Sequence, residues 1–448
     1  MEVKVAGAGS GKTTLMSKLI TSCVIPKGKV VFCIAFTNAA ADNIVDKVKK
    51  KLGAVPDNIK ISTIHSFLYQ EFVRPYYYIL YKKHFEKLSV INLPANEKYR
   101  FYKLSELEKD NILHFTKIPE KAKWVVYGKS KETKSIRLYR EEILKRFFSY
   151  CSVIFVDEAQ DICEDVRIIL ESLDKVGVRI VLYGDPKQDV KGSGQFREII
   201  EANTNVDYIS DCYRCPQKHL NISNTITSKA EWQIADKGNA EGSISIVFES
   251  DINTQEFLAN GDFGLKFISK KRERFETHDN GKLENRFETL QFEVSRAMND
   301  KWKGIKSEIE IKRDSFYVTE QMIESNNGSK GELVIAEQYK KGSFNWLDKK
   351  RFAQMMDALY VEDSESNNIP IVNTIEIVKG REAERCLFIL SPDLAPYLFG
   401  DKTDDNKTKH LLYVALTRSL DHLTIMIMKE VENKYTRKKI VEFFAKYI

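Results

Sequence analysis

The sequence predicts an α/β chain built on two parallel sheets. Three observations carry this expectation. Short apolar runs rich in β-branched residues alternate with stretches of helical periodicity, the pattern of parallel strands joined by crossover helices. Runs such as residues 29–36 are apolar almost throughout, as expected of strands covered on both faces. The strand pattern then restarts near residue 240, so the 448 residues are read as more than one domain.

Taken in order, residues 3–5 alternate apolar and charged positions and read as a short strand. Ala6-Gly7-Ala8-Gly9-Ser10-Gly11-Lys12-Thr13-Thr14 follows at once, and a helical pattern runs over 15–20. Strand, glycine-rich turn and helix make a phosphate cradle, because glycines let backbone N–H groups converge and the helix start adds partial positive charge. In such a cradle Lys12 reaches the β- and γ-phosphates and the Thr13 hydroxyl holds Mg2+. The pattern is slightly relaxed, since Ala6 stands where a first glycine is usual.

After the strand at 29–36 a helix is expected to end in the basic cluster Lys47-Val48-Lys49-Lys50-Lys51, stopped by Gly53 and Pro56. Ile59–Thr63 reads as a strand leading into Ile64-His65-Ser66-Phe67. Residues 70–148 then form an insertion rich in aromatics and bases. Lys121, Lys123, Trp124, Tyr127, Lys129, Lys131, Lys134, Arg137, Tyr139 and Arg140 interleave charge with rings. That composition suits a surface tracking a nucleic-acid backbone and stacking its bases, and equally a solvated helical face over buried rings. Strands resume at 153–156 and 179–183, and a second set is expected at Ser243–Phe248, Leu265–Ile268, Ile371–Thr374, 387–390 and 423–428, with loops at 325–329 and 363–368. The expected division is therefore 1–70 and 149–235 as one lobe, 71–148 as a helical insertion, and 236–448 as a second lobe.

The formal charge of +6 is mild and permits nucleic-acid binding without demanding it. Long apolar runs are absent, so no membrane-spanning helix is expected. The start reads as a strand feeding the phosphate loop rather than a signal peptide, and seven scattered cysteines fit a reduced, cytoplasmic setting. Cys212-Tyr213-Arg214-Cys215 has metal or redox spacing but no second pair to complete a metal site.

Val153-Ile154-Phe155-Val156-Asp157-Glu158-Ala159-Gln160-Asp161 is an apolar strand ending in carboxylates. Beside a phosphate loop, Asp157 would coordinate Mg2+ and Glu158 would orient and deprotonate the attacking water. Gly184-Asp185-Pro186-Lys187-Gln188 follows another strand and places Gln188 near the γ-phosphate. Arg214 and Arg418, the latter in Tyr413-Val414-Ala415-Leu416-Thr417-Arg418, each offer a cation for the transition state, where one arginine supplies about 10³–10⁵-fold in rate.

Read in order, residues 6–14, 36–41, 63–67, 153–161, 184–188, Tyr213-Arg214, 374–382 (TIEIVKGRE) and 413–418 resemble the motif series of superfamily 1A helicases of the UvrD, Rep and PcrA type. The resemblance implies two RecA-like lobes with ATP and Mg2+ between them, single-stranded or tailed DNA lying across both, and 3′→5′ movement. It implies that Tyr213 stacks on adenine, that Glu382 binds the ribose, and that Arg214 and Arg418 both reach the γ-phosphate. It implies DNA contacts at Thr37, Asn38, Thr63 and His65.

The chain departs from that family in five places. No glutamine motif precedes the phosphate loop, and Thr14 stands where an arginine is common. Residues 189–195 (DVKGSGQ) lack the rings usual after Gln188, which weakens stacking worth about 1–3 kcal/mol per base. Glu376 replaces a usual histidine. The separation of Arg214 from Thr374 (374 − 214 = 160 residues) is short, so a reduced or absent accessory subdomain is expected in the second lobe. The compact build also resembles the helicase-like subunit of Gabija-type anti-phage systems, which implies an OLD-like nuclease partner. Two readings follow: an ATP-driven DNA translocase, or a DNA- or nucleotide-sensing ATPase subunit that switches a nuclease. A phosphate-loop kinase is the third class, and the ordered downstream motifs argue against it.

Overall fold

Six parallel strands form the first sheet, in the spatial order Ile59–Thr63, Val30–Ala35, Cys151–Val156, Arg179–Gly184, Glu2–Ala6 and Val206–Ile209. Val3 lies opposite Leu182 on one side and Val206 on the other, so the strand that feeds the phosphate loop is an inner strand. Other strands of the sheet bury Val31, Cys33, Phe155, Val181 and Tyr183 against Met16, Ile20 and Ile44 of the flanking helices. The computed structural model describes residues 1–270, 275–277, 285–326, 331–359 and 371–448.

Five of these strands are legible as apolar runs, whereas Val206–Ile209 is not. It is the outermost strand, with Asp207 and Tyr208 exposed, and an edge position with one neighbour needs no continuous apolar run.

The second sheet is also parallel, in the order Ser243–Phe248, Ser419–Ile427, Ala383–Leu390, Leu265–Ile268, Ile371–Thr374 and Glu276–Thr277. Two of its strands are longer than their apolar halves suggest. Glu384, Arg385, Asp421 and His422 interrupt the pattern in the first halves of Ala383–Leu390 and Ser419–Ile427. The expected fold class holds: an α/β chain of two parallel-sheet lobes with a mainly helical insertion in the first. The loop expected at 363–368 lies outside the described residues, as does 327–329 of the other expected loop.

By contacts the chain divides into two units, one of Met1–Lys83, Ile118–His278 and Ile369–Ile448, the other of His84–Lys117 and Asp279–Asn368. Both sheets belong to the first unit. The expected insertion at 71–148 contributes to both units. Its basic and aromatic residues divide by burial. Arg140 is interior, donating to Val125 and Trp124 carbonyls and pairing with Glu132, while Lys121 lies over the Trp124 ring at 4.2 Å. Tyr127 and Tyr139 remain exposed. Part of the alternation is thus core chemistry.

In the second unit Arg286–Trp302, Glu308–Ser325, Gly331–Lys340 and Lys349–Leu359 bury Leu290, Val294, Met298, Met322, Phe344 and Met355 together. A capping box at Ser307 and Glu310 starts the second of these helices. Glu97–Lys109 brings Lys103 to Glu293 as a buried ion pair. Such a pair is costly to break, since either partner alone would be an uncompensated charge. No helix among the described residues is long and apolar enough to cross a membrane.

Candidate functional site

The phosphate loop joins Glu2–Ala6 to the helix Lys12–Ser22. Gly9 and Gly11 take φ of 71° and 73°, a left-handed conformation that costs other residues about 1–2 kcal/mol. Lys12 Nζ donates to the Ala6 and Gly7 carbonyls at 3.1 and 3.2 Å, so it is folded back over its own loop. The Ser10 hydroxyl is buried and has no hydrogen-bond partner among the described residues. An orphaned donor inside a glycine cradle fits an anion such as a nucleotide phosphate.

Thr13 donates to Asp157 Oδ2 at 2.8 Å, which brings hydroxyl and carboxylate together as a Mg2+ site requires. Among the described residues no three His, Cys, Asp or Glu side chains cluster as a metal cage.

Asp157 sits at the end of Cys151–Val156, its N–H bonded to the Ile34 carbonyl at 2.8 Å. Burial and the neighbouring Glu158 charge push its carboxyl up to about 6. Burial also raises Glu158, but Lys12, Lys379 and a Gln160 hydrogen bond outweigh it and hold the carboxyl below its ordinary value. Glu158 has φ of 56°, left-handed without being glycine. Strain of this kind costs of order 1–3 kcal/mol and persists where surroundings impose it. Gln160 bridges the site: its amide nitrogen donates to the Glu158 carboxylate and its oxygen accepts from Asp185 N–H at 3.0 Å. Gln188 is buried and donates to Asp185 Oδ2 at 2.8 Å.

The second lobe meets this surface through Lys407–Leu416 and the turn after it. Ala8 N–H donates to the Tyr413 hydroxyl at 3.1 Å, across 405 residues of sequence. That hydroxyl donates to Gln233 Oε1 at 2.6 Å, and Gln233 Nε2 returns a bond to the Ala8 carbonyl at 2.9 Å. Gln233 fills the space that any side chain at Gly7 would need. Tyr213 N–H donates to the Gly9 carbonyl at 2.8 Å, and its ring passes Gly11 with one face exposed.

Arg418 is fully buried and donates to the carbonyls of Val414 and Arg381 and to the Thr417 hydroxyl. Burial lowers its pKa, with the Arg214 charge adding to it, while Cys215, Tyr413 and Glu158 oppose. Its guanidinium is turned toward its own lobe. Arg214 is likewise engaged, paired with Glu382. Lys379 closes a further interlobe ion pair with Asp161 at 2.9 Å.

The four residues matched to DNA-contacting segments stand at the C-terminal ends of adjacent strands. Thr37 and Thr63 are helix N-caps, accepting from Ala40 and Ser66 N–H. Asn38 is exposed on the first turn after Thr37, and burial lowers the pKa of His65, with Lys191 adding to it. Where rings are usual after Gln188, Asp189 folds the chain into a turn by accepting from Gly192 and Gly194 N–H, each at 2.8 Å.

Lys47, Gln160, Gln233 and Lys379 were not read from the sequence as site residues. Gln160 and Lys379 stand inside quoted motifs, but nothing in the spacing shows what their side chains meet. Lys47 Nζ reaches the Thr14 hydroxyl at 2.8 Å, so a cation arrives beside the loop from another helix where Thr14 itself carries none.

A family model described as an AAA domain matches residues 2–193, a span holding the phosphate loop, Asp157, Glu158 and Gln188. No curated protein sequence matches the chain. Among solved structures it is similar to a complex of arterivirus nonstructural protein 10 (helicase) with DNA, at 12% identity and a TM-score of 0.37. That match covers 95% of this chain and 59% of the viral one, so the chain spans about three-fifths of that protein's length. Fold and site together define a P-loop protein of two parallel-sheet lobes.

Proposed function

We propose that this chain is a nucleic-acid-dependent ATPase of the superfamily 1 helicase kind, UvrD-like, moving 3′→5′ on single-stranded DNA. The Ala8 to Tyr413 hydrogen bond is the observation that carries the reading, because it seats the stretch ending in Arg418 on the phosphate loop. ATP is bound by residues 6–14 with Tyr213 and Glu382 flanking base and ribose. Thr13 and Asp157 hold Mg2+, whose charge stabilises that developing on the phosphates.

Glu158 accepts the proton of the attacking water, with Gln160 fixing its carboxylate. Lys12, Gln188, Arg214 and Arg418 serve the γ-phosphate, and each is now engaged by a protein group that a phosphate would replace. Exchanging Arg214–Glu382 and the Arg418 carbonyl bonds for phosphate contacts ties nucleotide state to the fit between lobes, the coupling a translocase needs. Thr37, Asn38, Thr63 and His65 face DNA at the strand ends.

The ring-free turn built on Asp189 favours a second reading, in which the ATPase senses DNA or nucleotide and regulates a nuclease partner, as in anti-phage defence, while unwinding weakly alone. ATP turnover with and without single-stranded DNA tests the shared part: stimulation is expected, and equal rates would remove it. Unwinding of a 3′-tailed duplex by the chain alone separates the two readings, since strand separation favours the translocase and stimulated hydrolysis without it favours the switch.

A further inference from the structure

The pair Cys212 and Cys215 is left unused by the chemistry above, yet it lies between both halves of the nucleotide site. Both thiols are free and fully buried. Cys212 Sγ contacts the Ala8 carbonyl of the phosphate loop at 3.2 Å. Cys215 Sγ contacts the Thr417 carbonyl, the residue before Arg418, at 3.5 Å. Cys215 N–H also donates to Cys212 Sγ at 3.3 Å. Asn239 fixes the spacing, since its one amide nitrogen donates to the Cys212 and Cys215 carbonyls at 2.8 and 2.9 Å. No third metal-ligating side chain joins them among the described residues.

We propose that Cys212 and Cys215 form a reversible disulfide that loosens nucleotide binding, an inference resting on the nucleotide-site reading above. The bond would turn each sulfur toward its partner instead of a lobe, so the Cys212 contact with the Ala8 carbonyl and the Cys215 contact with the Thr417 carbonyl would both be lost. The pair is already polarised for the reaction. The Cys215 thiol, with backbone N–H groups and Arg214 assisting, pulls Cys212 down to about 6, and the same contact pushes Cys215 well up. Cys212 is therefore the thiolate and Cys215 the resolving thiol.

Burial restricts the oxidant to a small one, and hydrogen peroxide is the class that fits. Cys212 sulfur attacks one peroxide oxygen, the O–O bond breaks, hydroxide leaves and takes a proton to become water, and Cys212 becomes a sulfenic acid. Cys215 sulfur then attacks Cys212 sulfur, the S–O bond breaks, and hydroxide departs with the Cys215 proton as a second water. Two thiols lose two electrons in total and one peroxide gains them. A dithiol reductant reverses the bond by exchange.

The test uses the full chain, reduced and then treated with hydrogen peroxide. Trypsin cuts after Arg214, so peptides carrying Cys212 and Cys215 stay joined only through the disulfide. That linkage is expected in the non-reduced map, together with about tenfold weaker binding of a fluorescent ATP analogue, recovered with dithiothreitol. Cys215→Ser, which keeps a donor beside the Thr417 carbonyl, is expected to abolish the response to peroxide. The proposal is overturned if peroxide links other cysteines such as the exposed Cys163, or if the 212–215 link forms while affinity stays within twofold. A reduced protein that binds no nucleotide overturns the nucleotide reading itself, and the peptide map still reports the disulfide separately.

Discussion

The two walls of the proposed nucleotide site are built on different physical principles. On the first-lobe wall, Lys12, Thr13, Asp157 and Gln188 each stand a few residues beyond the end of a buried parallel strand. The sheet fixes where each strand ends, so position along the chain nearly determines position in space. On the second-lobe wall, Tyr413 is placed by Ala8 and Gln233, while Arg418 is held by the Arg381 carbonyl together with Val414 and Thr417 of its own turn. The first wall is a template and the second is an adjustable partner. The proposed hydrolysis would draw on both, but only the second wall is held by contacts between the lobes.

The largest expected effect lies where the walls must act in one step. Arg418→Ala should lower kcat by about 10³-fold or more while KM moves only a few-fold, because its contact strengthens in the transition state. A steady-state kcat and KM pair checks this, with a thermal melt to confirm folding. A loss confined to KM would make Arg418 a binding residue and erase the contrast.

On the template wall, Glu158→Gln should cut turnover by about 10²–10⁴-fold with nucleotide binding retained, as for removal of a general base. A fluorescent nucleotide titration beside the turnover assay reads both quantities. Lys47→Met removes a cation that reaches Thr14 from a neighbouring helix, and an affinity loss of about fivefold, ~1 kcal/mol, is expected with kcat unchanged. No change would reduce Lys47 to a surface contact.

The smallest effects sharpen the joint itself. Tyr413→Phe leaves Gln233 Oε1 and Ala8 N–H without their partner and should cost about 1–3 kcal/mol in denaturant unfolding. Thr63→Ala should cost about 1 kcal/mol as a lost N-cap. If Thr63 also touches DNA, the same substitution weakens DNA binding at a temperature where the variant is fully folded. Unaltered DNA affinity would leave it a cap alone.

The contrast between the walls also explains what was readable. The phosphate loop, the Asp157–Glu158 pair and most strands are local patterns, written as glycines, apolar runs and the residues that end them. The strand Val206–Ile209 was not readable, because an edge strand tolerates exposed side chains. Gln233 was not readable either, since nothing in Trp232-Gln233-Ile234 announces that its amide bonds Ala8 and Tyr413.

By itself the sequence determined two parallel sheets and the template wall, because backbone geometry and burial act over a few residues at a time. Tertiary structure alone decided that Tyr413 meets Ala8 and Gln233, that Arg214 pairs with Glu382, and that two thiols sit between the lobes. Those facts depend on groups from segments far apart in the chain, and no local pattern encodes such meetings.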